Sequence, residues 1–378
     1  MAASELRYGR GGSMKISHAT KVADIPINNW DAMAASGDFY SSSWGLRSFE
    51  ELYPTEGNYL WVDSDPLRAA VACYCLTSES RPSPFTRLDR IIAARVRERG
   101  DEPDDEALTT LLPTLLVGGR QAGPSRLLRG AGSTVADVVG LIEGTVEVAA
   151  ELGARTLVMP YVDASDRMLN EALQALGWLN VPASDYYQMD VAWADFDGYL
   201  ASFDRHRRHA IRREISRVDS AGVQLAHEPM DYQLIPLLGK LSENLRRKYG
   251  SPRPAADIAL SLQEFAEIAG DKVSLLTARH DGRVVGYVQI IQWRDDLVFR
   301  DLGFDYEFVE RHELPLYFAL GFYKAAQIAP TSNARCIHYG MGSGEAKVRR
   351  GCTAVQQTMY IRALDRESET LLGNTLRA

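Results

Sequence analysis

Apolar residues recur along this chain in two periods, and the order in which the periods alternate predicts a mixed α/β (α+β) protein. Apolar runs at 59–62 and 69–76 flank the turn Asp63-Ser64-Asp65-Pro66 and predict a hairpin. Helical spacing follows over 134–152, where Val135, Val138, Val139, Ile142, Val146 and Ala149 recur and Gly153 ends the run. A buried-type strand at 156–161, a helix at 167–176 stopped by Gly177 and an alternating strand at 186–191 complete a first half. The second half opens with a long helix over 196–220 and a strand at 223–226, then helices over 232–249 and 257–269. Strands at 273–278, 284–293 and 297–306 come next, the first pair turning at Asp281-Gly282, a strong hairpin signal. Pro315 fits the first turn of a helix over 313–326, where a missing N–H costs nothing. A strand leading to His338-Tyr339-Gly340 follows.

Two stretches resist this reading. Residues 78–124, with Pro82, Pro84, an acidic run at 101–106 and Gly118-Gly119, predict an elaborated loop holding one short helix. Residues 1–13 are small, polar and aperiodic, so a disordered leader or extension is expected, with the first strand starting at Met14. The two halves share a similar element order, and 378 residues exceed what one core commonly holds. Two fused domains are therefore expected at 14–195 and 196–378, each a mixed, mostly antiparallel sheet flanked by helices.

Composition narrows the function classes only slightly. A net charge of −8 argues against a protein that coats nucleic acid, but leaves room for a local basic patch. No apolar run reaches membrane-spanning length and the N-terminus lacks a signal-peptide core, so a cytoplasmic protein without membrane insertion is expected. Cys73, Cys75, Cys336 and Cys352 are sparse and lack metal-site spacing, which predicts reduced thiols and no metal.

Charge is instead concentrated in one place. Residues 205–217 carry six arginines and two histidines on a predicted helix. At helical spacing Arg205, Arg208 and Arg212 share a face, with Arg213 and Arg217 beside it. Such a face attracts polyphosphate, either the pyrophosphate of coenzyme A or a nucleic-acid backbone. The plainer reading is a solvated helix that balances an acidic protein. A second concentration is Gly340-x-Gly342-x-Gly344-x-x-Lys347-x-x-Arg350-Gly351, where backbone N–H groups and cations could meet an anion. It lacks the spacing of a Walker A loop, and a tight connection between strands is its plainer reading. Between the two lie carboxylates suited to a base, Asp301, Asp305 and Glu307, and hydroxyls on Tyr306, Tyr317 and Tyr323. Asp305 ends its strand; Tyr317 is assigned to a cavity and Tyr323 to packing.

The strand, strand, helix, strand order over 284–341 resembles the GNAT acyltransferases. The Tyr-rich helix followed by Gly340-x-Gly342 and Lys347-x-x-Arg350-Gly351 resembles their Fem-like branch, which fuses two GNAT-like halves. That resemblance implies N-acyl transfer, with an aminoacyl group passing from aminoacyl-tRNA to an amine of a small molecule or cell-wall precursor. It implies no tightly bound cofactor. By resemblance Gly342, Lys347 and Arg350 face the donor, and Arg205, Arg208, Arg212 and Arg213 meet its phosphates. Asp305, Tyr317 and Lys347 are then the catalytic candidates, and Trp44, Tyr161, Asp163 and Tyr306 the acceptor-binding ones. The chain is too short for the helical arm of the cell-wall enzymes and resembles the armless relatives. It also departs from ordinary GNAT enzymes, because 308–315 contains no glycine where their pyrophosphate-binding turn lies. This favours a tRNA-borne donor; an acyl-CoA donor is the alternative, and a non-catalytic RNA- or precursor-binding protein of the same fold is a third.

Overall fold

The computed structural model describes residues 4–8, 14–34, 38–54, 56–81, 83–250 and 252–377. They form two compact units, Met1–Tyr186 with Val355–Ala378, and Tyr187–Ala354.

The first unit is built on a nine-stranded sheet. Its central hairpin is Gly57–Val62 with Ala69–Leu76, as the apolar runs predict. Helix Val135–Glu151 starts at a capping box between Thr134 and Asp137 and lays Val138, Leu141 and Ile142 on the sheet residues Ile16, Leu60 and Leu115. Residues 78–124 hold more order than their prolines suggest: helices Leu88–Glu98 and Asp105–Thr109, then the fully buried strand Thr114–Val117. That strand runs parallel to Thr156–Asp163. The expectation of an unstructured leader is also corrected. Ser4–Tyr8 pairs antiparallel with Met14–Ala19 and shields what would be an open sheet edge; residues 1–3 and 9–13 lie outside the described residues.

The second unit carries a seven-stranded sheet in the order Gln224–Pro229, Val273–His280, Arg283–Trp293, Asp296–Phe304, Cys336–Met341, Tyr186–Asp190, Thr353–Val355. The first four strands are antiparallel neighbours. Asp296–Phe304 and Cys336–Met341 are parallel, joined by a helical crossover over 306–328. One sheet face packs Leu297, Val288 and Ile337 against Leu320, Phe322 and Ala326 of that crossover. The other packs Leu275 and Tyr287 against Leu238, Leu241 and Leu262 from helices Ile235–Lys248 and Ala255–Ala269.

The expected division at residue 195 does not match these sheets. Tyr186–Asp190, expected to close the first sheet, lies in the second beside Cys336–Met341, while Gln357–Ala363 lies in the first, between Thr156–Asp163 and Leu179–Pro182. Alternation identifies a strand but not its partner, since pairing is a non-local choice. The predicted helix over 196–220 is likewise two helices, Phe196–Ala201 and Arg205–Ser220, because the Asp204 side chain accepts from the Arg207 N–H at 2.7 Å and starts the second.

One glycine sets how closely helix and sheet approach in this unit. A Cβ on Gly303 would lie 2.3 Å from the backbone carbon of Leu241 and the backbone nitrogen of Ser242. Backbone cannot yield as a flexible side chain does, so Gly303→Ala is expected to cost about 1–3 kcal/mol. A urea midpoint equal to that of the parent chain would show that the helix shifts freely.

Candidate active site

The parallel strands of the second unit pair over only three residues, Asp296 with Cys336, Leu297 with Ile337 and Val298 with His338. Asp296–Phe304 then continues for six residues and Cys336–Met341 for three, and no ladder pair joins them there among the described residues. The strands splay, leaving backbone N–H and C=O groups on both facing edges without a strand partner. An extra residue, Arg300, bulges from the longer strand between the pairs Gln289–Asp301 and Ile290–Phe299. Its guanidinium lies 3.8 Å from the Phe265 ring centroid and donates to Gln289 at 2.8 Å.

Aromatic rings gather beside the splay. Tyr339, the first residue of its strand past the ladder, stacks on Phe322 at 4.5 Å and touches Phe299 at 4.6 Å. Its hydroxyl is buried without a hydrogen-bond partner among the described residues. Burial, then the neighbouring Cys352, Tyr199 and Tyr317, holds that phenol well above its ordinary pKa. It therefore stays a donor at physiological pH. Tyr317 lies nearby, edge-on to Phe304 and Phe322, with its phenol pushed up to about 12 chiefly by burial. Tyr306 is half-buried under Lys248, whose amine lies 4.2 Å from the ring centroid, and burial raises its phenol to about 12. The structure thus brings Tyr306 and Tyr317 together around Phe304.

The remaining candidates are more committed than their sequence suggests. Asp305 caps helix Tyr306–Arg311, accepting from the Phe308 N–H at 3.0 Å, and its other oxygen accepts from Arg283 at 2.7 Å. Each oxygen thus already accepts a hydrogen bond, one of them from a guanidinium. Asp301 accepts from Tyr287 at 2.7 Å, Ser242 at 3.2 Å and Arg246 at 3.1 Å. Asp305 holds the backbone of the following helix, and Asp301 ties together side chains from three elements.

The glycine run also works differently from an anion cradle. Gly340, Gly342 and Ser343 adopt φ values of 71°, 77° and 52°, a left-handed turn that favours glycine. It leads into the short helix Gly344–Val348, and Lys347 reaches back to donate to the carbonyls of Tyr339, Gly340 and Met341 at 2.9, 2.9 and 3.0 Å. Burial pulls its pKa down to about 8, while the three carbonyls solvate the ammonium form. Lys347 therefore ties off the strand end rather than presenting its charge to a donor. Arg350 is only 4% exposed: it pairs with both Glu214 oxygens at 3.0 and 3.1 Å, donates to Tyr323 at 3.2 Å and lies over the Phe318 ring. Tyr323, assigned to packing, donates to Glu214. It is carried on the π turn Ala319–Lys324, a wider turn of a kind that recurs at functional sites.

Glu214 belongs to the arginine helix, so this network fastens that helix to the glycine run and the crossover. The opposite face is free. Arg205, Arg212 and Arg213 are exposed, with no ion-pair or side-chain hydrogen-bond partner among the described residues. Arg208, expected on the same face, is half-buried and donates to the Phe203 carbonyl, and Arg217 pairs with Glu313 at 3.8 Å.

Trp44, Tyr161 and Asp163 lie in the first unit. Trp44 is half-buried in helix Ser43–Leu52 and Tyr161 is buried in its strand, where burial raises its phenol. Asp163 accepts from the backbone and hydroxyl of Ser165 at 2.8 and 2.7 Å and shapes a turn. Sequence reasoning missed Tyr339 and Glu214. Tyr339 looks like any alternating strand residue, and Glu214 is one acid within a basic run.

Solved structures share this architecture at low identity. FemX aligns at TM-score 0.60 and 11% identity over 93% of this chain and 98% of its own. L-PGS from Bacillus licheniformis aligns at 0.53 and 10% over 88% and 95%. A tandem GNAT protein from the clavulanic acid biosynthesis pathway aligns at 0.50 and 13% over 92% and 98%. These likenesses establish a two-domain GNAT-type fold. No curated protein matches the chain by sequence. The FemAB-like family, described as peptidoglycan biosynthesis/recognition, matches residues 121–377. With most of its length covered by that match, the chain belongs to the FemAB-like family.

Proposed function

We propose that the chain is an N-acyltransferase that moves an aminoacyl group from aminoacyl-tRNA to an amine on a small molecule or cell-wall precursor. The observation that carries the tRNA donor is the unpaired stripe Arg205, Arg212 and Arg213 on the unit that holds the splayed strands. Exposed guanidiniums without carboxylate partners are disposed to release counterions on a phosphate backbone. The first turn after the longer strand supports the same choice. Its leading N–H is capped by the Asp305 carboxylate, whose charge opposes a pyrophosphate at that helix start.

In the reaction the acceptor nitrogen attacks the ester carbonyl; the new C–N bond forms as the C–O bond to the ribose breaks. The amine loses a proton and the ribose oxygen gains one. Charge builds on the carbonyl oxygen, and the Tyr339 hydroxyl, together with unpaired N–H groups of the splayed edge, is the donor set suited to it. With Asp301 and Asp305 both engaged, positioning rather than a dedicated carboxylate base drives the attack.

Binding to bulk aminoacylated tRNA and, separately, to acetyl-CoA across a salt series tests the donor. Tight tRNA binding is expected to fall steeply with salt, and Arg212→Ala/Arg213→Ala to flatten that dependence by about two units of log–log slope. Acetyl-CoA binding without any response to tRNA would overturn the tRNA donor and leave an acyl-CoA-dependent enzyme.

A further inference from the structure

The apex of the splay holds a group of side chains that the proposed chemistry leaves unused. Asp296 opens one parallel strand and Cys336 opens the other, directly opposite it in the ladder. His338 follows Cys336 by two residues, so both side chains project from the same sheet face, while Ile337 between them enters the apolar core on the other. The sulfur of Cys336, an imidazole nitrogen of His338 and a carboxylate oxygen of Asp296 all lie within 4.8 Å of one another. Asp296 and His338 are buried, and the His338 Nε2 to Asp296 Oδ2 separation is 3.1 Å. Asp190, which is exposed, ends the strand beside Cys336–Met341.

A buried carboxylate, a thiol and an imidazole therefore converge, and among the described residues no lysine or arginine is paired to Asp296. A compact dication relieves that arrangement. The donor set is sulfur, nitrogen and oxygen, which suits a borderline-soft ion that accepts four mixed ligands. Tetrahedral Zn2+ with N and O ligands at about 2.0–2.2 Å separates those ligand atoms by about 3.3 Å, close to the His338–Asp296 distance.

We propose that Asp296, Cys336 and His338 form a three-ligand Zn2+ site that clips the two parallel strands together where they begin to splay. Three ladder pairs alone hold this junction. A cross-link there fixes the angle at which the strands diverge without entering the acyl-transfer site. The protein supplies three ligands, and water completes the tetrahedron.

Untagged full-length chain, stripped with chelator and titrated with Co2+ as a spectroscopic probe and with Zn2+, tests this. One equivalent is expected to bind, with a thiolate-to-cobalt charge-transfer band and tetrahedral d–d bands, and Zn2+ is expected to raise the melting temperature. Cys336→Ser should abolish the charge-transfer band and weaken Zn2+ binding by at least about 100-fold, as loss of a direct ligand exceeds loss of an outer-shell partner. Circular dichroism in chelator confirms that the variant folds; Asp296→Asn, judged by the same affinity loss, replaces it if it does not. Substoichiometric binding, a cobalt spectrum without the thiolate band, or unchanged affinity in the variants would overturn the site.

Discussion

Arg350→Ala is expected to lower folding stability by about 3–5 kcal/mol, the range for removing one partner of a buried ion pair. The guanidinium is 4% exposed and bonds Glu214 twice, Tyr323 once and the Ala346 carbonyl at 3.1 Å. Its loss leaves the Glu214 carboxylate with the Tyr323 hydroxyl but no countercharge. Arg350→Lys should recover little, because an ammonium cannot reproduce the fork or lie flat on Phe318. Glu214→Ala should cost a similar amount, and the double variant less than the sum, since each single change already breaks the same pair. By contrast Arg205→Ala, on the exposed stripe, should stay within about 0.5 kcal/mol of the parent. Urea unfolding of the five variants checks this. An Arg350→Ala cost below about 1 kcal/mol would mean that this arginine is not buried in a network and is available to a phosphate after all.

The contrast between Arg350 and Arg205 marks how much of the site could be read from sequence. Helical spacing puts Arg205, Arg208 and Arg212 on one face with Arg213 beside it, and Arg205, Arg212 and Arg213 are exposed, because a helix's period is local and its polar side turns outward; only Arg208 turns back, to the Phe203 carbonyl. The same run gives no sign that Glu214 points inward, since its partner lies 136 residues away. A lysine after glycines suggests an anion site only if the backbone offers N–H groups. Here the left-handed turn at Gly340 and Gly342 turns carbonyls toward Lys347 instead, and composition carries no information about that direction. The fold follows the same rule. Hairpins joined by short turns, such as 273–293, were legible, whereas the placement of Tyr186–Asp190 and Gln357–Ala363 depends on partners far along the chain. The cluster around Cys336 was hidden for that reason too: Cys336-x-His338 lies along one strand, and Asp296 arrives from another.

Tyr339→Phe separates stability from chemistry most sharply. In the resting protein the hydroxyl is buried and unpartnered among the described residues, which is a cost rather than a contribution. Deleting one oxygen keeps the ring stacked on Phe322, so stability should hold or rise by as much as about 1–3 kcal/mol. If that hydroxyl is kept for a developing oxyanion, the rate of acyl transfer should fall by about 10²–10³-fold, the usual loss for one such donor. The affinity for tRNA should not move, because the proposed phosphate contacts are on the arginine stripe. The phenol's raised pKa adds a condition: as a donor that stays protonated, Tyr339 should give the rate no alkaline limb below pH 10. Tyr317→Phe provides the comparison, since its hydroxyl shares the same surroundings but is absent from the unpartnered buried groups. Single-turnover transfer measured beside thermal unfolding decides the matter. A Tyr339→Phe rate within threefold of the parent, with stability raised, would show that the orphaned hydroxyl is only a packing cost and would move the search for the oxyanion donor to the splayed backbone.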